Sequence, residues 1–427
     1  MPSANSLTPW STMRIVAWSC ALIVSGLLFG SQFLSSFRPP AGTASDFLQE
    51  WLSAKDYWSG RSIYSPLDES LFLHTIGKAD RPLLAWNAHP PVSVLLTLPF
   101  GKLDYADAHL LWNLMTFPLF ACSVWLTLRE LRAPLRPLSI LPVLALTFAC
   151  YPLYYQLSQG QWNCALAALI VAAWLADRRG YSTWAGVAVG LAASIKLFPV
   201  FLFLYFAGTA RFRALVSGGL TVVVLHLLAW TAFGEDAFAT YLRDVIPSVE
   251  NYRNHWQNLS VVGFIMRIFG APGNERIVPL IDRPGLVTPV ILGLRVLFAV
   301  LVARMCLASR HAATRDRSFA LAIVAMLLIS PITWPHYLLL AAMPLALVWM
   351  RLPAGSIRWF LSFVLIIFWL PNTYLASFAV GPQQAAMMMY GQHEPLSPSA
   401  NLTAISLPFY ALLLLFALLV RIPEEPS

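Results

Sequence analysis

Three residues of different chemical type, far apart in the chain, could form one reactive site. Asp46 lies in a stretch rich in acidic residues, Lys196 interrupts a long apolar run, and His336 follows Trp334 and Pro335. Together, a carboxylate, an ammonium and an imidazole can take a proton from a hydroxyl and neutralise a phosphate leaving group. Such a combination indicates transfer of a sugar from a lipid phosphate, provided that the fold brings the three segments to one side of a membrane.

The elements that must position these side chains are apolar helices. The chain has 427 residues, of which 58 % are hydrophobic and only 11 % are charged. It contains many runs of about 20 apolar residues, a composition that soluble domains do not tolerate. We therefore predict an all-α, polytopic integral membrane protein that forms one domain over residues 1–427. The net charge is +8, and most of the Arg and Lys residues lie in short loops, where they set the membrane topology. We therefore expect no nucleic-acid partner.

Basic clusters alternate with the apolar segments along the chain. Because Arg and Lys are retained on the cytoplasmic side, this alternation predicts about 12 transmembrane segments with both termini in the cytoplasm. Two longer loops, residues 38–106 and 234–285, then lie on the extracytoplasmic side. The second of them contains a short amphipathic piece, Val261 to Phe269, that carries Arg267.

Residues 159–207 form the core signature of the chain. The apolar pieces Trp184 to Ile195 and Leu197 to Ala207 would each be about 17 Å long as helices, against a bilayer core of roughly 30 Å. Neither piece spans the membrane comfortably alone. We predict a re-entrant helical hairpin with Lys196 at its outer apex, and one long tilted helix with a snorkelling lysine remains the alternative.

The first outer loop contains a predicted interfacial helix within residues 45–59. Four apolar residues recur there at helical spacing, with Gln49, Glu50, Lys55 and Asp56 on the opposite face, turned away from the apolar side. This pattern is typical of a helix that lies along the membrane surface. Asp46 stands at its first turn, where capping of the helix is the structural alternative to a chemical role. The apolar set is Phe47, Trp51, Ala54 and Trp58.

The order of the short motifs resembles a known family. The motifs are SDF, AKDYWSGRSIY, AHPP, GQWN, AGVAVGLAASIKLFP and SPITWPHY. They resemble glycosyltransferase family 87, integral membrane transferases of the GT-C class that include mycobacterial polyprenol-phosphate-mannose-dependent mannosyltransferases. The similarity covers nearly the whole chain, and GQWN and GLAASIKLFP are its most specific pieces.

The resemblance implies a GT-C fold in a bacterial plasma membrane, with the active site on the extracytoplasmic side. It also implies a polyprenyl-phosphate sugar as donor, with mannose as the expected sugar, and a hydroxyl of a glycolipid or polysaccharide as acceptor. The anomeric carbon would be inverted. In the family an aspartate of the early loop is the general base, and Asp46 matches it.

The leaving phosphate is weakly basic and should need charge neutralisation more than a proton. Lys196 and His336 are the first candidates for this task, with Arg61 and Arg267 as further phosphate partners. Snorkelling remains the alternative for Lys196, and a structural hydrogen bond beside two prolines remains the alternative for His336. The residues expected to line the cavity, unless they only pack helices or anchor the interface, are Asp56, Tyr57, Tyr64, His89, Gln161, Asn163, Gln257 and Trp334.

We expect no tightly bound cofactor, because no carboxylate cluster has metal-binding spacing, although a loosely held divalent cation at the phosphate stays open. A transporter or lipid flippase is the main alternative function. Such proteins hold ionisable groups near the membrane midplane and often show internal repeats. Here the twenty acidic residues fall in loops or at segment ends, and no repeat is evident. A purely structural membrane subunit would leave the acidic first loop and Lys196 without a purpose.

Overall fold

A computed structural model describes residues 9–40, 45–75, 85–134, 136–270, 277–309, 312–353, 355, 357–388 and 394–422. Within these ranges the chain is helical, and the β pairing is a single isolated parallel bridge between Ile277 and Leu396. The prediction of an all-α fold is confirmed for the described residues.

The first half of the chain forms eleven helices, which differ widely in length. They are α1 (Pro9–Ser35), α2 (Phe47–Trp58), α3 (Leu67–Thr75), α4 (Pro91–Thr97), α5 (Tyr105–Glu130), α6 (Pro137–Thr147), α7 (Tyr151–Gln159), α8 (Asn163–Arg178), α9 (Ser182–Ile195), α10 (Phe203–Gly208) and α11 (Phe212–Thr240).

The second half adds ten helices. They are α12 (Ile246–Val249), α13 (Val261–Phe269), α14 (Val287–Ala308), α15 (Ala312–Ile329), α16 (Ala342–Arg351), α17 (Ile357–Trp369), α18 (Asn372–Val380), α19 (Pro382–Met388), α20 (Pro398–Leu402) and α21 (Leu407–Arg421). The bounds of α13 are those of the amphipathic piece read from the sequence.

Several of these helices are long and apolar enough to cross a membrane, as expected for a multi-pass protein. Among the described residues there are five, or up to seven if each of two bent pairs counts as one span. The pair Ile140–Thr147 and Tyr151–Gln159 bends by 50°, and the pair Ile357–Trp369 and Asn372–Val380 bends by 94°. The expected total of about 12 also counts shorter apolar helices, so that number and the re-entrant hairpin remain predictions.

Close helix packing positions the Lys196 segment. α9 lies against α11, and Gly186 and Gly190 face that contact. A Cβ atom added to Gly186 would lie 2.1 Å from the Ala214 carbonyl oxygen, and one added to Gly190 would lie 2.5 Å from the Gly218 carbonyl oxygen. Small residues one turn apart let membrane helices approach this closely. The backbone leaves α9 at Lys196, which has an extended conformation, and a short 3-10 helix follows over Phe198–Leu202.

Three of the four polar residues that the pattern turns away from the apolar side of α2 are buried in the structure. Gln49, Glu50 and Asp56 are buried, with Glu50 and Asp56 only 1 % exposed. The reason is that α3, α4 and the 3-10 segment Leu98–Lys102 pack around α2, so protein rather than water covers its polar face. Among the four apolar residues of the predicted interfacial helix, only Trp58 is exposed, at 48 %.

Ion pairs gather helix ends at one side of the bundle. Arg178 Nε lies 3.0 Å from Glu130 Oε1, and Arg351 Nη2 lies 2.8 Å from Asp316 Oδ2. These ends carry basic clusters that the positive-inside rule places in the cytoplasm. Their common location supports the predicted alternation of the segments. The set of paired residues is Glu130, Asp177, Arg178, Arg211, Asp316 and Arg351.

Candidate active site

A cavity of about 440 Å³ lies where several distant parts of the chain meet. Its wall includes the start of α2, the link between α7 and α8, the link after α9, and residues 330–337. Asp46, Lys196 and His336 all line it. The tertiary structure therefore brings together the three side chains on which the chemical argument depends.

Asp46 is oriented by the link between α7 and α8. It occupies the N-cap position of α2, yet its side chain makes no capping hydrogen bond. Instead, Asp46 Oδ2 accepts a hydrogen bond of 2.8 Å from Gln161 Nε2, and the Asp46 backbone N–H donates to Gln159 Oε1 over 3.1 Å. The carboxylate is thus held toward the cavity rather than used to cap the helix.

Lys196 is buried on the opposite side of the same glutamine. Its Nζ donates to Gln161 Oε1 over 2.6 Å and to the Tyr337 hydroxyl over 3.2 Å, and it lies 4.5 Å from the centre of the Tyr337 ring. The side chain is enclosed by protein partners, which argues against snorkelling to the membrane surface. Burial lowers the pKa of Lys196 to about 7, although attraction to Asp46 and Glu50 works in the opposite direction.

Gln161 therefore joins the candidate base to the candidate phosphate ligand through its two amide atoms. The backbone turn that allows this is made by Gly160, which has a left-handed conformation with a φ of 61°. A Cβ atom there would lie 2.6 Å from Phe47 Cβ, so only glycine fits against the start of α2. Behind this turn, Asn163 Nδ2 donates to Gln156 Oε1 over 2.9 Å.

His336 is fully buried beside the cavity, with its ring 5.1 Å from that of Tyr155. Neither of its ring nitrogens has a hydrogen-bond partner among the described residues. Burial, followed by repulsion from Lys196 and His89, holds the pKa of His336 well below its ordinary value. With both ring nitrogens unpartnered in the described structure, His336 can offer a hydrogen bond to a ligand, and its lowered pKa disfavours a positive charge.

The sequence analysis missed a buried pair formed by Glu50 and His89. His89 Nδ1 lies 2.7 Å from Glu50 Oε1, and Trp162 Nε1 donates to the same oxygen over 3.1 Å. Burial alone would raise the pKa of Glu50, but attraction to His89 and the hydrogen bonds it accepts lower that pKa instead. The available signal was the spacing, because Glu50 lies one helical turn after Asp46.

Three further residues expected at the cavity do line it, namely His89, Gln257 and Trp334. The cavity wall also contains Tyr337 and Arg253, neither of which was singled out from the sequence. Arg253 Nη2 lies 2.6 Å from Glu250 Oε1 at the outer part of the wall. The expected residues whose side chains do not belong to the cavity wall are Asp56, Tyr57, Arg61, Tyr64, Asn163 and Arg267.

Arg61 and Asp56 pair with each other, at 3.2 Å between Arg61 Nε and Asp56 Oδ1. His74 Nε2 lies 2.9 Å from the same carboxylate oxygen, so this group ties α2 to α3. Tyr57 packs edge-on against Phe233 at 5.4 Å. Each of these contacts supports the wall from behind.

Arg267 is completely buried. Its Nη2 donates to the carbonyl oxygens of Trp256 at 2.7 Å and Asn258 at 2.8 Å, and its Nη1 donates to Ser406 Oγ at 3.1 Å. Through these hydrogen bonds the Arg267 guanidinium connects α13 to the segment before α21. Tyr64 has a comparable task, because its hydroxyl donates to the His89 carbonyl oxygen over 2.7 Å.

Within the described part of the chain, no group of three or more His, Cys, Asp or Glu side chains could hold a metal ion. The expectation of no tightly bound cofactor remains a prediction, which metal removal can test.

Comparison with known proteins gives two matches. The family model Glycosyltransferase family 87 matches residues 87–331, more than half of the chain. A polyprenol-phosphate-mannose-dependent alpha-(1-2)-phosphatidylinositol pentamannoside mannosyltransferase from Mycolicibacterium smegmatis is 24 % identical over 257 residues. That alignment covers 58 % of this chain and 57 % of the relative, so the chain spans little more than half of the relative's length. No solved structure matches.

Proposed function

The chain belongs to glycosyltransferase family 87, and we propose that it moves a sugar from a polyprenyl-phosphate donor to a hydroxyl of a glycolipid or polysaccharide. Mannose is the proposed sugar, since the relative from Mycolicibacterium smegmatis depends on polyprenol-phosphate-mannose. Membership of the family favours a transferase over the transporter alternative.

One observation carries the proposal. Gln161 contacts both Asp46 and Lys196, at 2.8 Å and 2.6 Å, on the wall of one cavity. A base and a cation that share one rigid bridge suit a displacement in which a proton is removed at one end and negative charge develops at the other.

In the proposed reaction, Asp46 accepts the proton of the acceptor hydroxyl as its oxygen attacks the anomeric carbon. The bond between that carbon and the phosphate oxygen breaks, and its electron pair stays on the phosphate. The donor phosphodiester carries one negative charge and the released phosphate monoester carries close to two. Attack from the face opposite the phosphate inverts the anomeric carbon.

Lys196 is the proposed cation for the phosphate, because the extra negative charge on the leaving group strengthens their attraction in the transition state. His336 contributes a hydrogen bond through a nitrogen that is unpartnered in the described structure. Arg61 and Arg267 have no direct part in this proposal, since their guanidinium groups already bind Asp56 and backbone carbonyls.

We place the enzyme in the plasma membrane of a bacterium, with both termini in the cytoplasm and the cavity open to the extracytoplasmic side. The basic residues gathered at one end of the bundle support this orientation under the positive-inside rule. The cavity lies against segments that carry few basic clusters, as expected for the outer side.

The test is sugar transfer by purified protein in lipid, with a panel of polyprenyl-phosphate sugars and a mixed glycolipid acceptor. Asp46→Asn should lower kcat by about 10²-fold to 10⁴-fold, the usual contribution of a positioned base. Asp68→Asn is the matched control, because Asp68 is an exposed carboxylate of the same loop. Full activity of a folded Asp46→Asn variant would overturn the assignment of the base.

A further inference from the structure

Glu50 is a buried carboxylate that the proposed reaction does not yet use. It is 1 % exposed and lies one turn after Asp46 in α2. Its Oε1 atom faces His89 Nδ1 and accepts from Trp162 Nε1, and its Oε2 atom accepts from Asn87 Nδ2 at 3.3 Å. The hydroxyls of Ser93 and Thr97 complete the shell, each 3.5 Å from Oε2. The donors Trp162 Nε1–H and Asn87 Nδ2–H, together with the His89 ring at 2.7 Å, favour the ionised form of this enclosed carboxylate.

His89 is held in a single orientation by this shell. Its backbone N–H donates to Asn87 Oδ1 over 3.0 Å, and its carbonyl oxygen accepts from Tyr64. Pro90 follows as the N-cap of α4. With Nδ1 directed at Glu50, the geometry of the imidazole ring turns Nε2 away from Glu50, and the residue lines the cavity. No residue in the described ranges makes a hydrogen bond to that nitrogen.

The side chains that line the cavity with His89 indicate which kind of ligand its Nε2 atom contacts. Lys196, His89 and His336 all line the same cavity. Asp46 is separated from Lys196 by Gln161. An anion therefore finds its most favourable position beside Lys196, where the rings of His89 and His336 can add hydrogen bonds, and the acceptor hydroxyl is left to Asp46.

We infer that Glu50 and His89 act as a pair in which Glu50 positions His89 and His89 Nε2–H donates a hydrogen bond to the donor phosphate. The inference rests on the proposed function and extends it by assigning a contact to the leaving group. Contact with both Glu50 and the phosphate uses one N–H donor on each ring nitrogen of His89. As the bond to the anomeric carbon breaks, the electron pair remains on the phosphate oxygen and this hydrogen bond strengthens.

Two substitutions of His89 separate this role from a structural one. The amide nitrogen of His89→Asn reproduces Nδ1, so the variant keeps the contact with Glu50 and loses the donor to the cavity. The amide nitrogen of His89→Gln reproduces Nε2, so that variant keeps the cavity donor and loses the contact with Glu50. Loss of one preorganised donor to a developing oxyanion lowers kcat by about 10²-fold or more.

We expect His89→Asn to fold normally and to lose about 100-fold in kcat, whereas His89→Gln should retain about a tenth of the wild-type value. A structural role predicts the opposite order, with His89→Asn close to wild type. That opposite order would overturn the inference. Folding is checked by the thermal midpoint of each purified variant in detergent.

Glu50 acts through His89 and therefore needs a test of coupling. Glu50→Gln keeps the size of the side chain and removes its charge, and we expect about a tenfold loss in kcat with the acceptor KM unchanged. The double variant Glu50→Gln with His89→Asn should be no slower than His89→Asn alone, because the second change removes a function already lost. Fully additive losses would refute a positioning role for Glu50.

Binding of polyprenyl phosphate, the reaction product, keeps this test separate from the proposed function. Wild type should bind it at least tenfold more tightly than His89→Asn, measured by native mass spectrometry in detergent. If wild type neither binds it nor transfers sugar, the proposed function fails. If wild type binds and transfers but His89→Asn matches it in both, only the Glu50 and His89 inference fails.

Discussion

Lys196 should make donor capture sensitive to pH just above neutrality. Burial lowers the pKa of its ammonium group to about 7, although attraction to Asp46 and Glu50 acts to raise that pKa. The charged form of the free enzyme is therefore lost as the pH rises through about 7, and with it the attraction for the donor phosphate. We expect kcat/KM for the donor to fall about tenfold for each further pH unit, since kcat/KM reports the free enzyme.

Bound donor should keep Lys196 protonated at higher pH than in the free enzyme. Two opposite unit charges 4 Å apart attract by about 4 kcal/mol at an effective dielectric constant of about 20, which also serves for buried protein sites. Because about 1.4 kcal/mol corresponds to a tenfold change in protonation, this attraction is worth about three pH units. The alkaline limb of kcat should therefore lie about three pH units above the alkaline limb of kcat/KM.

The assay is the initial rate of sugar transfer from about pH 6 to about pH 10, at limiting and at saturating donor. Lys196→Arg keeps its positive charge over the whole range and should lose the alkaline limb of kcat/KM. Lys196→Met should be slow at every pH. The reasoning is refuted if wild type and Lys196→Arg show the same alkaline limb, since another group must then titrate.

Three further predictions concern the turn at Gly160, the buried Arg267 and the effect of metal removal. Gly160→Ala should abolish transfer because its Cβ would lie 2.6 Å from Phe47 Cβ, next to Asp46; Gly180→Ala has a comparable positive φ but open space around it, and should cost only about 1 kcal/mol of stability. Arg267→Met should lower stability by about 3 kcal/mol or more, because three buried acceptors lose a charged donor. The thermal midpoint should fall while the donor KM of the folded fraction stays constant; a raised KM at unchanged stability would instead favour a direct phosphate contact. Incubation with EDTA should leave transfer activity unchanged, and recovery of a lost activity by added Mg²⁺ or Mn²⁺ would contradict the prediction of a metal-independent site.

The fold class could be predicted because its signal is carried by composition. Long apolar runs and basic loops follow from the solvent that surrounds the chain, and no tertiary contact is needed to recognise them. The same holds for α13, whose predicted bounds agree with the structure. Bends escaped prediction: Ile357 to Val380 reads as one apolar segment, yet it turns by 94° between Trp369 and Asn372.

The role of α2 shows why the site could only partly be predicted. The pattern shows which residues of α2 are polar but not what covers them; α3 and α4 pack over that face, so Glu50 is enclosed beside His89, Trp162 and Asn87. Arg267 shows the opposite case, in which a residue predicted to bind a ligand binds the protein itself. A cation in an outer loop suggests a phosphate ligand, but carbonyl oxygens close in space, at Trp256 and Asn258, take up its hydrogen bonds.

By itself, the sequence determined that the chain is a helical membrane protein with a carboxylate, an ammonium and an imidazole in three recognisable motifs. Whether Gln161 would join two of them, and which arginines would be free to meet a ligand, was decided only by the tertiary structure. The physical reason is that motif chemistry is local, whereas the partner of a polar group is set by how separate segments pack, as with Asp46 and Gln161, which are 115 positions apart.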